Sequence, residues 1–187
     1  MNTNTTITDG GTISSSAGTN TYTSAISVVT GTANISVAAD SLTLDGVISG
    51  TSAGITTSGA GTLNLTAANT YTGNTIIGGA GLVSITDSDG LGTTGAGSGS
   101  LAINAGTLQL TGNNVNLGAK AGDATMATGT TLKTTTGANT FSSNTAITGT
   151  GIFDVGGTTL TLDGTISGGA IQKVGTGTLI ISGTNTH

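Results

Sequence analysis

The chain has 187 residues, of which 34 are glycine, with no proline, cysteine or tryptophan, 6% charged residues, 2% aromatics and a formal net charge of −5. Lys120, Lys133 and Lys173 are its only cations, which argues against a phosphate-neutralising nucleic-acid surface and a polybasic membrane patch. The absence of cysteine removes disulfides and thiolate metal sites. Leu, Ile, Val and Phe number only 40 of 187, close to the disordered range, but low charge, a mean hydropathy of +0.24 and regular apolar alternation point to a folded chain. No run reaches the ~18 apolar residues of a spanning helix, so no membrane insertion is expected. The opening MNTNTTITDGG has neither the positive nor the apolar region of a signal peptide. An exported chain would then be an excised segment, with Met1 as a start codon and His187 as the beginning of a tag.

Along the chain the same phrases return. TNTYTS at 19–24 is followed by SLTLDGVISG at 41–50, which matches TLTLDGTISG at 159–168 with an offset of 118. ANTYTGNTIIGGAGLVSI at 68–85 matches ANTFSSNTAITGTGIFDV at 138–155 with an offset of 70, and GAGTL at 59–63 reappears as GTGTL at 175–179. Within each copy apolar residues alternate with polar ones, as in Leu42-Thr43-Leu44, Leu63-Asn64-Leu65, Leu108-Gln109-Leu110 and Leu160-Thr161-Leu162. Period-two alternation in short runs bounded by glycine predicts half-buried strands. Leu42, Leu63, Val83 and Leu101 follow one another at 21, 20 and 18 residues, and a second strand lies seven residues away in Ile35–Leu42, Leu101–Leu108 and Phe153–Leu160. Short strands, tight corners and a near-constant repeat predict an all-β chain coiled as a parallel β-helix, one segment over 1–187, with about twenty residues per rung and rungs ~4.8 Å apart. Asn69 and Asn139, each before Thr and an aromatic, are expected at equivalent corners.

Gly59, Gly61, Thr62, Leu63, Asn69, Thr70, Tyr71, Thr72 and Gly73, echoed by Asn139, Phe141, Gly177, Thr178 and Leu179, resemble the passenger-associated transport repeat, or autotransporter-associated β-strand repeat, of bacterial type V secretion. The resemblance is good over 55–92 and 171–186, degenerate over 19–50 and 138–170, and rests on spacing alone over 93–137. It implies a right-handed β-helical passenger segment at the cell surface or secreted through the outer membrane of a Gram-negative bacterium, helping the passenger fold and translocate. The alternating strands and aromatic girdles of a membrane barrel are absent from the sequence.

Residues able to do chemistry are few. Asp45 and Asp163 both precede glycine in LDG phrases and read as corner residues; Asp154 reads as an outward solvated side chain. Asp87 and Asp89 in TDSDGLG offer two carboxylates where a hard cation needs six to eight oxygens, so an Asx turn is preferred to a weak calcium site. The outward series Thr43, Asn64, Ser84, Ala102, Gln109, Thr161 and Ile180 is too mixed for an ice-binding threonine array. The expectation is a non-catalytic structural segment without cofactor or metal, whose partners are the adjacent rungs and, end to end, other copies. The alternative is an adhesin or surface-fibre segment that binds a glycan or protein through a β-helix face. On the offset between Gly61 and Gly177, residue 187 would stand where Tyr71 stands, so the chain would end in the middle of a repeat.

Overall fold

A computed structural model describes residues 4–186; Met1 and His187, and the readings placed on them, lie outside the described residues. Glycine and β-branched threonine disfavour helix interiors, and the described residues form only strands and bends. The chain coils through about nine rungs spaced about 21 residues apart. The first rung holds β1 (Thr5–Ile7), β2 (Thr12–Ser15) and β3 (Thr19–Tyr22). The second holds β4 (Ile26–Val28), β5 (Thr32–Val37) and β6 (Ser41–Leu44), and the third β7 (Ile48–Ser49), β8 (Gly54–Ser58) and β9 (Thr62–Leu65). Two rungs then have two strands each, β10 (Thr75–Ile77) with β11 (Leu82–Ile85), and β12 (Leu101–Ile103) with β13 (Thr107–Leu110). The sixth has three again: β14 (Asn116–Leu117), β15 (Ala124–Met126) and β16 (Thr131–Thr134). After it come β17 (Ala138–Phe141), β18 (Thr145–Val155), β19 (Thr159–Leu162), β20 (Ile166–Val174), β21 (Thr178–Ile181) and β22 (Asn185–Thr186).

Each strand pairs in parallel with its equivalents in neighbouring rungs, which gives the coil three faces. On the first face lie β1-β4-β7 and, further along, β14-β17-β19-β21. The second face is β2-β5-β8-β10-β12-β15 and the third β3-β6-β9-β11-β13-β16; β18 and β20 run round the corner between them and join both into one fifteen-stranded sheet. Alternation puts every second side chain inside, where like stacks on like. Leu42, Leu63, Val83, Leu108, Leu132 and Phe153 form one buried column, and Ile77, Ile103, Met126 and Ile147 another. Each such side chain contributes roughly 1.5–3 kcal/mol by leaving water. The core is thus a continuous aliphatic thread, and every rung rests only on its neighbours.

The register corrects three expectations. Val83 stacks on Leu108, 25 residues on, whereas Leu101 stacks on Thr75 on the second face. The seven-residue steps Ile35–Leu42 and Leu101–Leu108 cross from second to third face, but Phe153–Leu160 crosses from third to first. The outward series mixes faces: Thr43, Asn64, Ser84 and Gln109 share the third, Ala102 lies on the second, and Thr161 and Ile180 on the first. Residues 93–137, where the repeat phrase fades, keep the second and third faces in register with longer rungs, and the first face resumes at β14.

Two motif glycines show why the phrase demands glycine. Gly59 has φ +93°, and a Cβ there would come within 2.0 Å of the Val37 carbonyl oxygen in the rung beneath. A Cβ on Gly73 would meet the Ala53 carbonyl at 2.5 Å. Both are places where one corner lies directly on another, with no room for a side chain and, at Gly59, a backbone that L-residues rarely adopt.

Truncating the thread should therefore cost far more than altering corner charges. Leu63→Ala and Leu162→Ala are expected to lower unfolding free energy by about 2–5 kcal/mol each, and Leu63→Asp by more, because it buries an unpaired charge. Asp45→Asn and Asp163→Asn should stay within about 0.5 kcal/mol. Urea denaturation followed by circular dichroism measures all five.

Candidate functional site

The fourth and fifth rungs have no strand on the first face, and the described residues with unusual chemistry gather at this break. Fifteen residues, 86–100, join β11 to β12, where nine, 66–74, join β9 to β10. The surplus forms an irregular arm over 89–97. Backbone pairing survives in part: Thr70 N–H donates to Ile48 O at 2.8 Å, Thr72 N–H to Gly50 O at 3.0 Å, and Thr93 N–H to Tyr71 O at 3.1 Å.

Side chains supply the rest. Asn69 is 1% exposed; its Oδ1 accepts the Ile48 N–H at 2.7 Å and its Nδ2 donates to Gly90 O at 2.7 Å, so one amide side chain ties the rung below to the rung above. Asn139 repeats the acceptor half, taking the Val115 N–H at 2.8 Å, while its Nδ2 turns to Thr136 O. The second asparagine of each phrase looks the other way: Asn74 Oδ1 accepts Ser100 N–H and Asn144 Oδ1 accepts Thr165 N–H, at 2.9 and 3.0 Å. The expected equivalent corners are not found, since Asn139 lies within β17 and pairs with Leu160 while Asn69 lies outside any strand; what the two share is an Oδ1 that satisfies a buried backbone N–H of the rung beneath. Asn20 does not share it, because TNTY at 19–22 forms β3 on the third face and its Nδ2 bonds locally to Ser15, Ala17 and Gly18.

Tyr71 is fully buried and its hydroxyl bonds Thr75 Oγ1 at 2.7 Å. Burial pushes the phenol well above its ordinary range, with the Thr75 bond acting in the opposite sense. In the later copy Phe141 has no hydroxyl to satisfy, and Thr145 Oγ1 donates instead to Ser143 O.

Lys120 is the residue that sequence reasoning passed over. It is 3% exposed, and its Nζ donates to Leu91 O at 2.6 Å and Thr93 O at 2.9 Å, with Gly92 O at 3.5 Å. The Tyr71 ring centroid lies 6.0 Å from Nζ. Burial draws the ammonium down to about 8, partly offset by the Asp89 charge. The main chain around it is fixed as well, since Lys120 N–H donates to buried Ser143 Oγ and Ala121 N–H to Ser98 Oγ. Where a first-face strand would have offered N–H groups to the carbonyls of the arm, one lysine offers its ammonium. A lysine flanked by small residues in GAKAG is the only sequence signal of this, and it says nothing about partners that are carbonyl oxygens.

The remaining expected residues stay apart. Asp45 is exposed after β6 and accepts from Thr66 Oγ1, while Asp163 is exposed after β19, at a different corner of the coil. Asp154 points outward on the third face and pairs with Lys133 at 2.8 Å. Asp87 Oδ1 accepts the Asp89 N–H at 2.9 Å, which is the Asx turn read from the sequence. Among the described residues no three His, Cys, Asp or Glu side chains come together as a metal group, and no helix is long and apolar enough to cross a membrane. A shallow groove of about 430 Å³ on the second face is lined by Asp123, Thr125, Asn144, Ala146, Thr165 and Ser167 among others; Asp123, the one charged residue in its lining, accepts from Asn144 Nδ2 at 3.0 Å. Comparison with protein families, with curated proteins and with solved structures finds no match.

Two measurements check the break. Asn69→Ala leaves a buried N–H and a buried C=O without partners, an expected loss of about 2–5 kcal/mol, against no more than about 0.5 kcal/mol for exposed Asn104→Ala. The pH dependence has a defined sign. The folded Lys120 releases its proton near pH 8 and the unfolded one near ~10.4, so between these values the unfolded chain holds more protons and stability rises with pH. Above pH ~10 the unfolded Tyr71 ionises while the folded one does not, and stability falls. Thermal melts should peak near pH 10, with a rising limb of at most about 1.4 kcal/mol per pH unit that disappears in Lys120→Met.

Proposed function

We propose that this chain is a non-catalytic structural segment of a type V autotransporter passenger, displayed at the cell surface or secreted through the outer membrane, where it assists passenger folding and translocation. The observation that carries the reading is the correspondence between the repeat phrase and the stacking geometry. Gly59, Gly61, Gly73 and Gly177 face backbone or an inward side chain of the preceding rung, Leu63 and Leu179 continue inward columns, and Asn69 and Asn139 each satisfy a backbone N–H of the preceding rung. Thr62, Thr70, Thr72 and Thr178 occupy the outward or backbone-pairing positions between them. A coil in which each rung rests only on its neighbours can nucleate at any completed rung and propagate rung by rung, including from the first segment to emerge. Such progression suits a chain emerging through a narrow pore, because each completed rung opposes return.

A second reading is an adhesive or self-associating fibre that binds a glycan or protein through a β-helix face; Ile180, 44% exposed and outward on the first face, is an apolar contact such a face offers. Glycan stacking has less support, since Tyr71, Phe141 and Phe153 are buried and Tyr22 is half-buried against the core.

Deleting residues 55–92 in frame from the parent protein separates these readings. Loss of surface display with normal synthesis is the expected result. Normal display with loss of adhesion or clumping would overturn the transport role in favour of the second reading.

A further inference from the structure

We propose that residues 69–121 close as one cooperative clasp: the strand-free arm of the fifth rung is ordered only when the fourth and sixth rungs are both in place, so the coil gains or loses these rungs together. Elsewhere a rung is held by its own strands, each paired with its neighbours, and a rung at an opening front can leave with the next one intact. The arm at 89–97 has no strand. An irregular connection of this kind ordinarily sits at the low-stability end of a structure and opens on its own. Here its polar groups are divided between two rungs. Towards the fourth, Asn69 N–H donates to Asp89 O at 3.0 Å, Asn69 Nδ2 to Gly90 O at 2.7 Å, and Thr93 N–H to Tyr71 O at 3.1 Å. Towards the sixth, Gly95 N–H donates to Ala119 O at 2.8 Å, and Leu91 O and Thr93 O accept from Lys120 Nζ at 2.6 and 2.9 Å.

Single residues of the arm belong to both sets. Leu91 O also accepts from Thr75 Oγ1 at 3.3 Å, and Thr75 Oγ1 in turn bonds the Tyr71 hydroxyl. Thr93 gives its N–H to the fourth rung and its carbonyl to the sixth. Just past the arm, Ser98 Oγ donates back to Gly95 O at 2.7 Å and accepts the Ala121 N–H at 2.9 Å. Leu91 is fully buried and Lys120 is 3% exposed. Opening the arm alone would uncover Leu91 and take from Lys120 the carbonyls that replace its hydration; opening the sixth rung alone would take from those carbonyls their donor. Lys120 lies 27 residues beyond Thr93. On the transport reading, which this inference extends and does not require, a chain emerging from either end therefore keeps the arm open until both neighbouring rungs are out.

Native-state hydrogen exchange of the isolated chain in rising sub-denaturing urea, read amide by amide by NMR, tests the clasp without reference to transport. Strand amides Leu101 and Thr107, which donate to Asp123 O and Gly81 O, set the reference for opening of the rungs. The expected result is that the Asn69, Thr93, Gly95 and Ala121 amides join the same urea-dependent isotherm as Leu101 and Thr107. Arm amides that exchange faster than these two, at a rate independent of urea, would overturn the proposal, because the arm would then open by itself. In Lys120→Met the Thr93 and Gly95 amides are expected to leave the shared isotherm and exchange at least about tenfold faster, since hydrogen bonds to a charged donor are lost. Their staying on it would also overturn the proposal. Should Lys120→Met not fold, trypsin gives a second measurement on the parent chain, whose only cleavage sites are its three lysines. Cleavage after Lys120 should accelerate with urea in parallel with Leu101 exchange; a rate independent of urea would contradict the clasp.

Discussion

Every corner of this coil must lie on the corner beneath it, at the spacing that parallel ladder hydrogen bonds impose. From that constraint the composition follows. Side chains are excluded wherever two backbones meet at a corner, hence glycine; a corner whose amide has no ladder partner needs a short side chain carrying a carbonyl, hence asparagine. Only one side chain in two can point into a narrow interior, hence the alternation and the aliphatic columns from Leu42 to Phe153. Large aromatics and paired charges have almost no place in such a cross-section.

The same constraint explains the break. Rungs of nearly equal length repeat all three faces, but the steps from Val83 to Leu108 and from Leu108 to Leu132 are 25 and 24 residues, against 20 or 21 for the neighbouring steps from Leu42 to Val83 and from Leu132 to Phe153. The first face lacks a strand in the fourth rung, whose step is 20 residues, and in the fifth, whose step is 25, while the 24-residue step to Leu132 regains β14; the second and third faces stay in register throughout. Backbone groups freed there still need partners, and Asn69, Tyr71 with Thr75, and Lys120 provide them. Among the described residues no buried side-chain polar atom lacks a partner. A buried ammonium is an expensive donor. Its presence marks the arm at 89–97 as a place where the coil carries a buried charge that is satisfied by main-chain carbonyls.

Strand type, parallel stacking and approximate rung length were legible in alternation, glycine and spacing. The face on which a phrase lands was not. SLTL at 41–44 lies on the third face and its twin TLTL at 159–162 on the first; GAGTL at 59–63 and GTGTL at 175–179 differ in the same way. All three faces ask for the same corner, strand and corner, so a phrase records local geometry, and its face depends on the number of residues that precede it. That is why Leu101 resembles the next member of the Leu42–Leu63–Val83 series and belongs to another column. The corner role of Asn69 could be read because asparagine at a bend has a known reason. Lys120 could not, because its partners are main-chain carbonyls brought near by a loop of irregular length.

The functional reading rests on this architecture, in which regular stacking serves progressive folding and the break is one reinforced step along it, and the register is its most exposed point. Methyl-labelled protein examined by nuclear Overhauser spectroscopy reports that register directly. The account requires contacts running Leu63 to Val83 to Leu108 to Leu132, with Leu101 touching Ala124 and not Val83. A Val83–Leu101 contact in place of Val83–Leu108 would contradict it, because the long fifth rung, and with it the 89–97 arm whose carbonyls Lys120 meets, would then not exist.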